Sequence, residues 1–205
     1  APAMPPFTGT MVIIKMNEDS SVIANLSLTD YSAGTYTAVA QIIAENLKIP
    51  FEKVKVAFET DTDRDPYDWQ TVASKGLIMS GNAAILACRD MLDKMYDVAG
   101  QVLRCNKCDL RHGDERVYVV HDPEKYLYYK DMAVGYAYPN GNGIGGPIVG
   151  VDRYMASGLS NLDKATGQGN PALDWTYGTH GLVVEIDTET GEYTVIKSAS
   201  AFDVG

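Results

Sequence analysis

An α+β fold follows from three features of the sequence. Period-two hydrophobic alternation bounded by turn residues marks β-hairpins near both ends, and two apolar stripes at helical spacing mark a medium and a long helix. Strands and helices do not alternate in the regular βαβ manner of a doubly wound sheet. The expected architecture is mixed β-hairpins and sheet packed against the two helices. A chain of 205 residues is long enough to bury roughly 70% of its unfolded surface. Its 45% hydrophobic and 21% charged residues exclude a disordered or collagen-like polymer.

The first hairpin comprises a strand over 11–16, a turn at Asn17, Glu18, Asp19 and Ser20, and a return strand over 22–28. A helix is expected over 35–47, where Val39, Ile42, Ile43 and Leu47 share one face and Pro50 prevents much extension. A further strand fits 54–58. Residues 60–71 carry Asp61, Asp63, Arg64, Asp65, Pro66 and Asp68 without periodicity, forming a long loop of the kind that often has a function. Between 74 and 103, Gly81, Ile85, Cys88, Leu92, Met95, Ala99 and Val102 recur in steps of four and three, the stripe of a long helix packed on one side.

Beyond Asp109 the texture changes. Short strands are expected at 116–120 and 125–129, then a glycine-rich stretch over 139–150 and an irregular one over 157–171. In the closing hairpin Leu182, Val184 and Ile186 alternate, 187–191 turn, and 193–196 return. The expected organisation is an N-terminal extension over 1–9, a first lobe over 10–104 and a second lobe over 105–205.

Seventeen basic against 27 acidic residues give a net charge of −10, and no Lys/Arg cluster offers a phosphate-tracking surface. Nucleic acid and anionic membranes are therefore poor partners. No apolar run approaches the roughly 18 residues of a membrane helix, and the first residues lack the basic and apolar regions of a secretory signal. Three cysteines cannot all pair within one chain, which fits a reducing, cytoplasmic location.

Two strand-to-helix junctions are candidates for chemistry. One includes Asp30, Tyr31, Ser32, Ala33 and Gly34 before the first helix; the other includes Thr71, Ala73, Ser74, Lys75 and Gly76 before the long one. A helix N-terminus presents unpaired N–H groups and a positive dipole end, and small residues let an anion approach the backbone. Two such entrances can grip one extended, phosphate-bearing cofactor. The alternative is plain capping by Ser32 or Thr35 and by Ser74.

Other constellations point less far. Gly141, Gly143 and Gly146 match a dinucleotide-binding spacing, but Pro147 stands where a helix should open and no clear strand precedes, so a plain glycine-rich loop is expected. Cys105, Cys108, His112 and His121 are either a zinc knot or two loop thiols and two surface histidines. His180 is expected half-buried in a strand. The Asp61–Asp68 cluster lacks the glycine and terminal glutamate of a calcium loop and fits solvated charges better. No serine or cysteine triad can be assembled.

Several segments in unbroken order resemble the molybdopterin-binding large subunit of the molybdenum hydroxylases, the xanthine dehydrogenase and aldehyde oxidase family. They are the run from Gly34 to Pro50; Glu59, Thr60, Asp61 and Thr62; Ala73 and Ser74; Gly81; Gly145 to Ile148; Thr166 to Gly169; Trp175 to His180; and Phe202 to Gly205. The resemblance implies a molybdenum-cofactor-binding-domain-like fold and a molybdenum–molybdopterin cofactor. It also implies partners: the remainder of the molybdenum subunit, iron–sulfur and flavin modules carrying [2Fe–2S] clusters and FAD, and a small-molecule substrate.

Position by position, the resemblance assigns Ser32, Ala33 and Gly34, with Ala73, Ser74, Lys75 and Gly76, to the cofactor. These are the same two helix entrances. Ala33 stands where the family usually has a glutamine, so a side-chain amide contact is missing. The implied activity is hydroxylation of an aldehyde or N-heterocycle with water-derived oxygen, assisted by a glutamate base in a Gly-x-Gly-Glu-like segment. No glutamate here, Glu45 and Glu59 included, matches that base. The chain is thus expected to be a fragment, truncated within its second lobe and inactive alone, with a noncatalytic cofactor-binding or assembly module as the alternative.

Overall fold

Strict alternation in the first strand decides where the core lies. In β1 (Gly9–Met16) Val12, Ile14 and Met16 are buried on one face while Lys15 is exposed. The turn closes through Asp19 Oδ1, which accepts from the Ser21 N–H at 2.8 Å. β2 (Val22–Asn25) then returns antiparallel, with Val22 opposite Met16. After it come α1 (Thr35–Leu47) and β3 (Val54–Val56), which pairs parallel to β2. The long helix α2 (Gly76–Leu103) leads into a three-stranded antiparallel sheet of β4 (Leu110–Gly113), β5 (Arg116–Val119) and β6 (Asp122–Tyr128). A small ribbon, β7 (Tyr136–Ala137) with β8 (Gly143–Ile144), precedes β9 (Val149–Met155). The closing hairpin is β10 (Tyr177–Ile186) and β11 (Tyr193–Asp203). This computed structural model describes residues 8–72 and 74–203.

The described residues divide into two compact units, 8–157 and 158–203. In the first, a sheet of order β3-β2-β1-β9 is covered by α1 and α2. Val39, Ile43 and Leu47 of α1 and Cys88, Met91 and Met95 of α2 meet Ile14, Met16, Leu26 and Leu28 in one core. Both helices stop at a left-handed residue, Lys48 and Arg104, whose N–H returns to a carbonyl one turn back.

α2 can lie against β9 because Gly150 has no side chain: a Cβ there would stand 2.2 Å from the Ala87 carbonyl oxygen and 2.8 Å from Met91 Cβ. Val117, Val119 and Leu127 of the three-stranded sheet are buried beneath α2, and the fully buried Tyr129 donates its hydroxyl to the Leu47 carbonyl at 2.8 Å.

In the second unit β10 and β11 form one antiparallel ribbon with an irregularity between Val183 and Val184. Asp187 Oδ1 holds its turn by accepting from the Glu189 and Thr190 N–H groups. His180 differs from expectation. It is exposed, with Ser198 Oγ and Ser200 Oγ each 3.0 Å from a ring nitrogen, because nothing in this two-stranded unit covers that face.

Candidate functional site

The two predicted junctions come together. Residues around 26–29 leave β2 and run to α1, while the loop before α2 folds back beside them, and the Thr29 N–H donates to Thr71 Oγ1 at 2.9 Å. Tyr36 on α1 pins the same segment, its hydroxyl donating to the Leu28 carbonyl at 2.6 Å. A cleft of about 510 Å³ lies between the entrances, lined by Tyr31, Ala33, Thr35, Thr71, Ser74 and Gly76 among others. Each helix is entered through a left-handed residue: Ser32 (φ 69°) and Gly34 (φ 72°) before α1, Ser74 (φ 57°) before α2. At Gly34 this conformation, rather than crowding, favours glycine, since a Cβ would meet nothing within 4 Å.

The electrostatics of the two entrances differ. At α1 the Asp30 carboxylate already holds the donors: Oδ1 accepts from the Ala33 N–H at 2.8 Å and the Gly34 N–H at 3.2 Å, and Oδ2 from the Tyr36 N–H at 3.3 Å. Asp30 reaches them from a larger groove of about 840 Å³ along β3, lined by Ile23, Phe51, Val56 and Phe58 among others. That groove is the roomier one, but the helix entrances open on the smaller cleft. At α2, no described side chain accepts from the N-terminal residue Lys75 or caps the first turn. The alternative of plain capping by Ser32, Thr35 or Ser74 is not what the structure shows. A carboxylate three to six residues upstream does the work at α1, and the left-handed turn at Ser74 leaves the α2 entrance open.

Of the assigned residues, Ala33, Ser74 and Gly76 line the cleft, and Ser32 and Gly34 shape its edge through their backbone. Ala73 lies outside the described residues. Lys75 turns away: 7% exposed, its ammonium sits 3.4 Å from the centroid of the Trp69 ring. Burial draws the Lys75 pKa down, opposed by the charge of Asp68, whose own carboxyl is pushed up by burial against the pull of Thr10 and Lys75. This arrangement ties the loop to β1, where Met11 and Trp69 N–H groups bond to Tyr67 and Gly9 carbonyls. Asp30 and Thr71 lie in the two junctions outside the residues that the resemblance assigns to the cofactor; an aspartate just ahead of a helix is the local signal for the role Asp30 plays.

The remaining constellations resolve as structural. Among the described residues no group of three or more His, Cys, Asp or Glu is placed to hold a metal ion. His112 is committed elsewhere, with Nδ1 2.7 Å from the Tyr96 hydroxyl and Nε2 2.9 Å from the Asn46 carbonyl, a pairing that fits neutral imidazole protonated on Nε2. Asp61 pairs with Arg64 at 2.7 Å and Asp65 accepts from the Asp61 N–H, so the acidic cluster folds its own loop. Cys88, Cys105 and Cys108 are free, and no described helix is long and apolar enough to cross a membrane.

Two helix N-termini open on one cleft in an α+β unit, a geometry that can take an anionic group. The sequence profile of the molybdopterin cofactor-binding domain matches residues 3–205, and the chain belongs to that family. It is 30% identical over 192 residues to the carbon monoxide dehydrogenase large chain of Hydrogenophaga pseudoflava, covering 94% of this chain and 22% of that one. To xanthine dehydrogenase of Oryza sativa subsp. japonica it is 25% identical, covering 94% and 12%. Among solved structures, reconstituted CO dehydrogenase from Oligotropha carboxidovorans superposes with a TM-score of 0.75 at 24% identity, covering 96% of this chain and 22% of that one. The chain therefore spans about a fifth or less of the length of these relatives.

Proposed function

We propose that this chain forms one wall of the molybdopterin site in a molybdenum hydroxylase, a xanthine dehydrogenase-like oxidoreductase acting on an aldehyde or N-heterocycle. The observation that carries this is the convergence of both helix entrances on one cleft. The residues fit the cofactor. The first-turn N–H groups of α2 are open to a phosphate or pterin oxygen, Ser74 adds a hydroxyl, and Ala33 and Gly76 keep the walls low. Bound there, the molybdenum–pterin group supplies two-electron redox chemistry at its metal.

The chain's own contribution is to bind and orient. Thr71 and Tyr36 lock the spacing between the entrances. No carboxylate is among the described residues lining the cleft, which supports a reading in which the general base and the substrate pocket are supplied by other parts of a longer enzyme and this segment alone is inactive. Iron–sulfur and flavin modules carry electrons away in the intact complex, and its location is the cytoplasm.

A noncatalytic cofactor-binding or assembly module is the second reading. It is favoured by Asp30, whose carboxylate holds the donors of the α1 entrance. Turnover of the intact parent complex in isotopically labelled water separates the two. Labelled oxygen in an oxidised aldehyde or N-heterocycle supports the hydroxylase, whereas a complex holding molybdenum and pterin but hydroxylating neither class is the noncatalytic module.

A further inference from the structure

The outer face of the β4-β5-β6 sheet plays no part in the cofactor site. Cross-strand register sets its residues in two rows: Arg111 opposite Tyr118 opposite Tyr126, and Gly113 opposite Arg116 opposite Tyr128. The opposite face of the same strands is buried through Leu110, Val117, Val119 and Leu127, so the alternation turns the arginines and tyrosines outward. Arg111, Tyr128 and Lys130 are exposed, and Arg116, Tyr118 and Tyr126 half-buried.

Aromatic rings and cations interleave across this face. The Arg116 guanidinium lies 4.9 Å from the Tyr126 centroid and 5.8 Å from that of Tyr118, and Lys130 Nζ lies 5.3 Å from that of Tyr128. Tyr126 and Tyr128 meet edge to face with centroids 5.0 Å apart.

In a chain of net charge −10, some cations are matched locally, as Lys53 is by Glu115 and Lys107 by Asp93 and Asp97. Among the described residues, Arg111, Arg116 and Lys130 have no carboxylate in ion-pair range. Arg111 instead donates to the backbone carbonyls of Cys108 and Leu110, at 3.0 and 2.7 Å. Glu124, two residues before Tyr126 on the same strand, places a carboxylate beside this face. Rigid tyrosines beside unpaired guanidinium groups are the composition of a protein-binding hot spot. A polyanion such as nucleic acid is disfavoured, because three cations give little counterion release against the field of an acidic chain.

We propose that this face docks an extended, carboxylate-rich segment of a separate polypeptide, with Arg111, Arg116 and Lys130 pairing its carboxylates and Tyr118, Tyr126 and Tyr128 packing its backbone and side chains. The test titrates the intact, isotopically labelled chain with an oligoglutamate peptide, using oligothymidylate of equal length and an oligolysine peptide as the other arms. The amide shifts should map to β4, β5 and β6, and affinity should fall several-fold between about 0.05 M and about 0.3 M salt.

The exposed-site variants Lys130→Gln and Tyr128→Ala, which leave the core untouched, should each weaken oligoglutamate binding about threefold or more, since interfacial pairs of this kind are worth on the order of 1 kcal/mol. Arg116→Gln, with its fold checked by circular dichroism, should weaken it further. Shifts that fall elsewhere, stronger binding of oligothymidylate, or affinity unchanged in Lys130→Gln and Tyr128→Ala would each overturn the proposal.

Discussion

Replacing Asp30 by alanine removes the one side chain that accepts from three N–H groups at the start of α1. Loss of such a cap costs about 1 kcal/mol, and loss of a carboxylate at the positive end of the helix dipole adds about 0.5 kcal/mol. Water can reach the Ala33 and Gly34 groups, which keeps the total near about 1.5 kcal/mol. For a chain of this size that is a fall in Tm of about 4 °C. Asp30→Asn keeps an acceptor and should cost less than about 0.5 kcal/mol. Urea unfolding followed by far-ultraviolet circular dichroism measures both.

A second consequence is specific to the site. Asp30 and an external anion compete for the same donors, so inorganic phosphate should bind Asp30→Ala about tenfold more tightly than the native chain, a gain of about 1.4 kcal/mol. An Asp30→Ala protein as stable as the parent within about 0.3 kcal/mol, or phosphate protecting both equally, would refute the view that this carboxylate occupies the entrance.

Three further outcomes follow. Gly150→Ala should cost about 3 kcal/mol, since the new Cβ meets the Ala87 carbonyl and backbone has to shift, whereas Gly113→Ala, with nothing within 4 Å, should stay within about 0.5 kcal/mol; equal effects in denaturant melts would contradict the close β9–α2 contact. Burial holds the His112 pKa below 6.5, outweighing the Asn46 hydrogen bond, so the unfolded chain takes up its proton first; stability present above about pH 6.5 should be lost as pH falls through the folded value, and His112→Phe should flatten that slope in melts between about pH 7.5 and about pH 5. Among the thiols, the Cys88 pKa is pushed up to about 12 by burial while Cys108 is exposed, so iodoacetamide should label Cys108 in the native chain and Cys88 only on unfolding, as peptide mass mapping would show.

The elements legible in the sequence are those whose pattern is local. α1 spans the expected residues because Val39, Ile43 and Leu47 supply the stripe and Pro50 the stop. The long helix begins two residues later than expected, at Gly76, after the left-handed Ser74. β9 has no local signal because its burial comes from pairing with β1, about two thirds of the chain away, and because Gly150 looks like loop when the helix it accommodates is unseen. β4 was missed for a similar reason: Leu110 and His112 gain meaning only against α2 and Asn46.

The site shows the same division. Small residues ahead of two helices were visible in the sequence, and so was their kinship to a cofactor-binding family. That the entrances share one cleft depends on the Thr29–Thr71 hydrogen bond across 42 positions. That one of them is held by Asp30 depends on a loop geometry with no periodic signal. Lys75, assigned to the cofactor from its place in the motif, spends its side chain on Trp69.

The most direct test of the account is the molybdenum and pterin content of the intact parent protein with position 33 varied. Ala33 is exposed on the cleft wall, so Ala33→Trp fills the cleft without entering the core, and Ala33→Gln supplies the side-chain amide that the resemblance implies there. The account predicts stoichiometric molybdenum and pterin in the native protein, a drop of about tenfold or more in Ala33→Trp with the fold intact, and full content in Ala33→Gln, since blocking a preformed pocket removes on the order of 1.4 kcal/mol or more of binding. Undiminished cofactor in Ala33→Trp would contradict it.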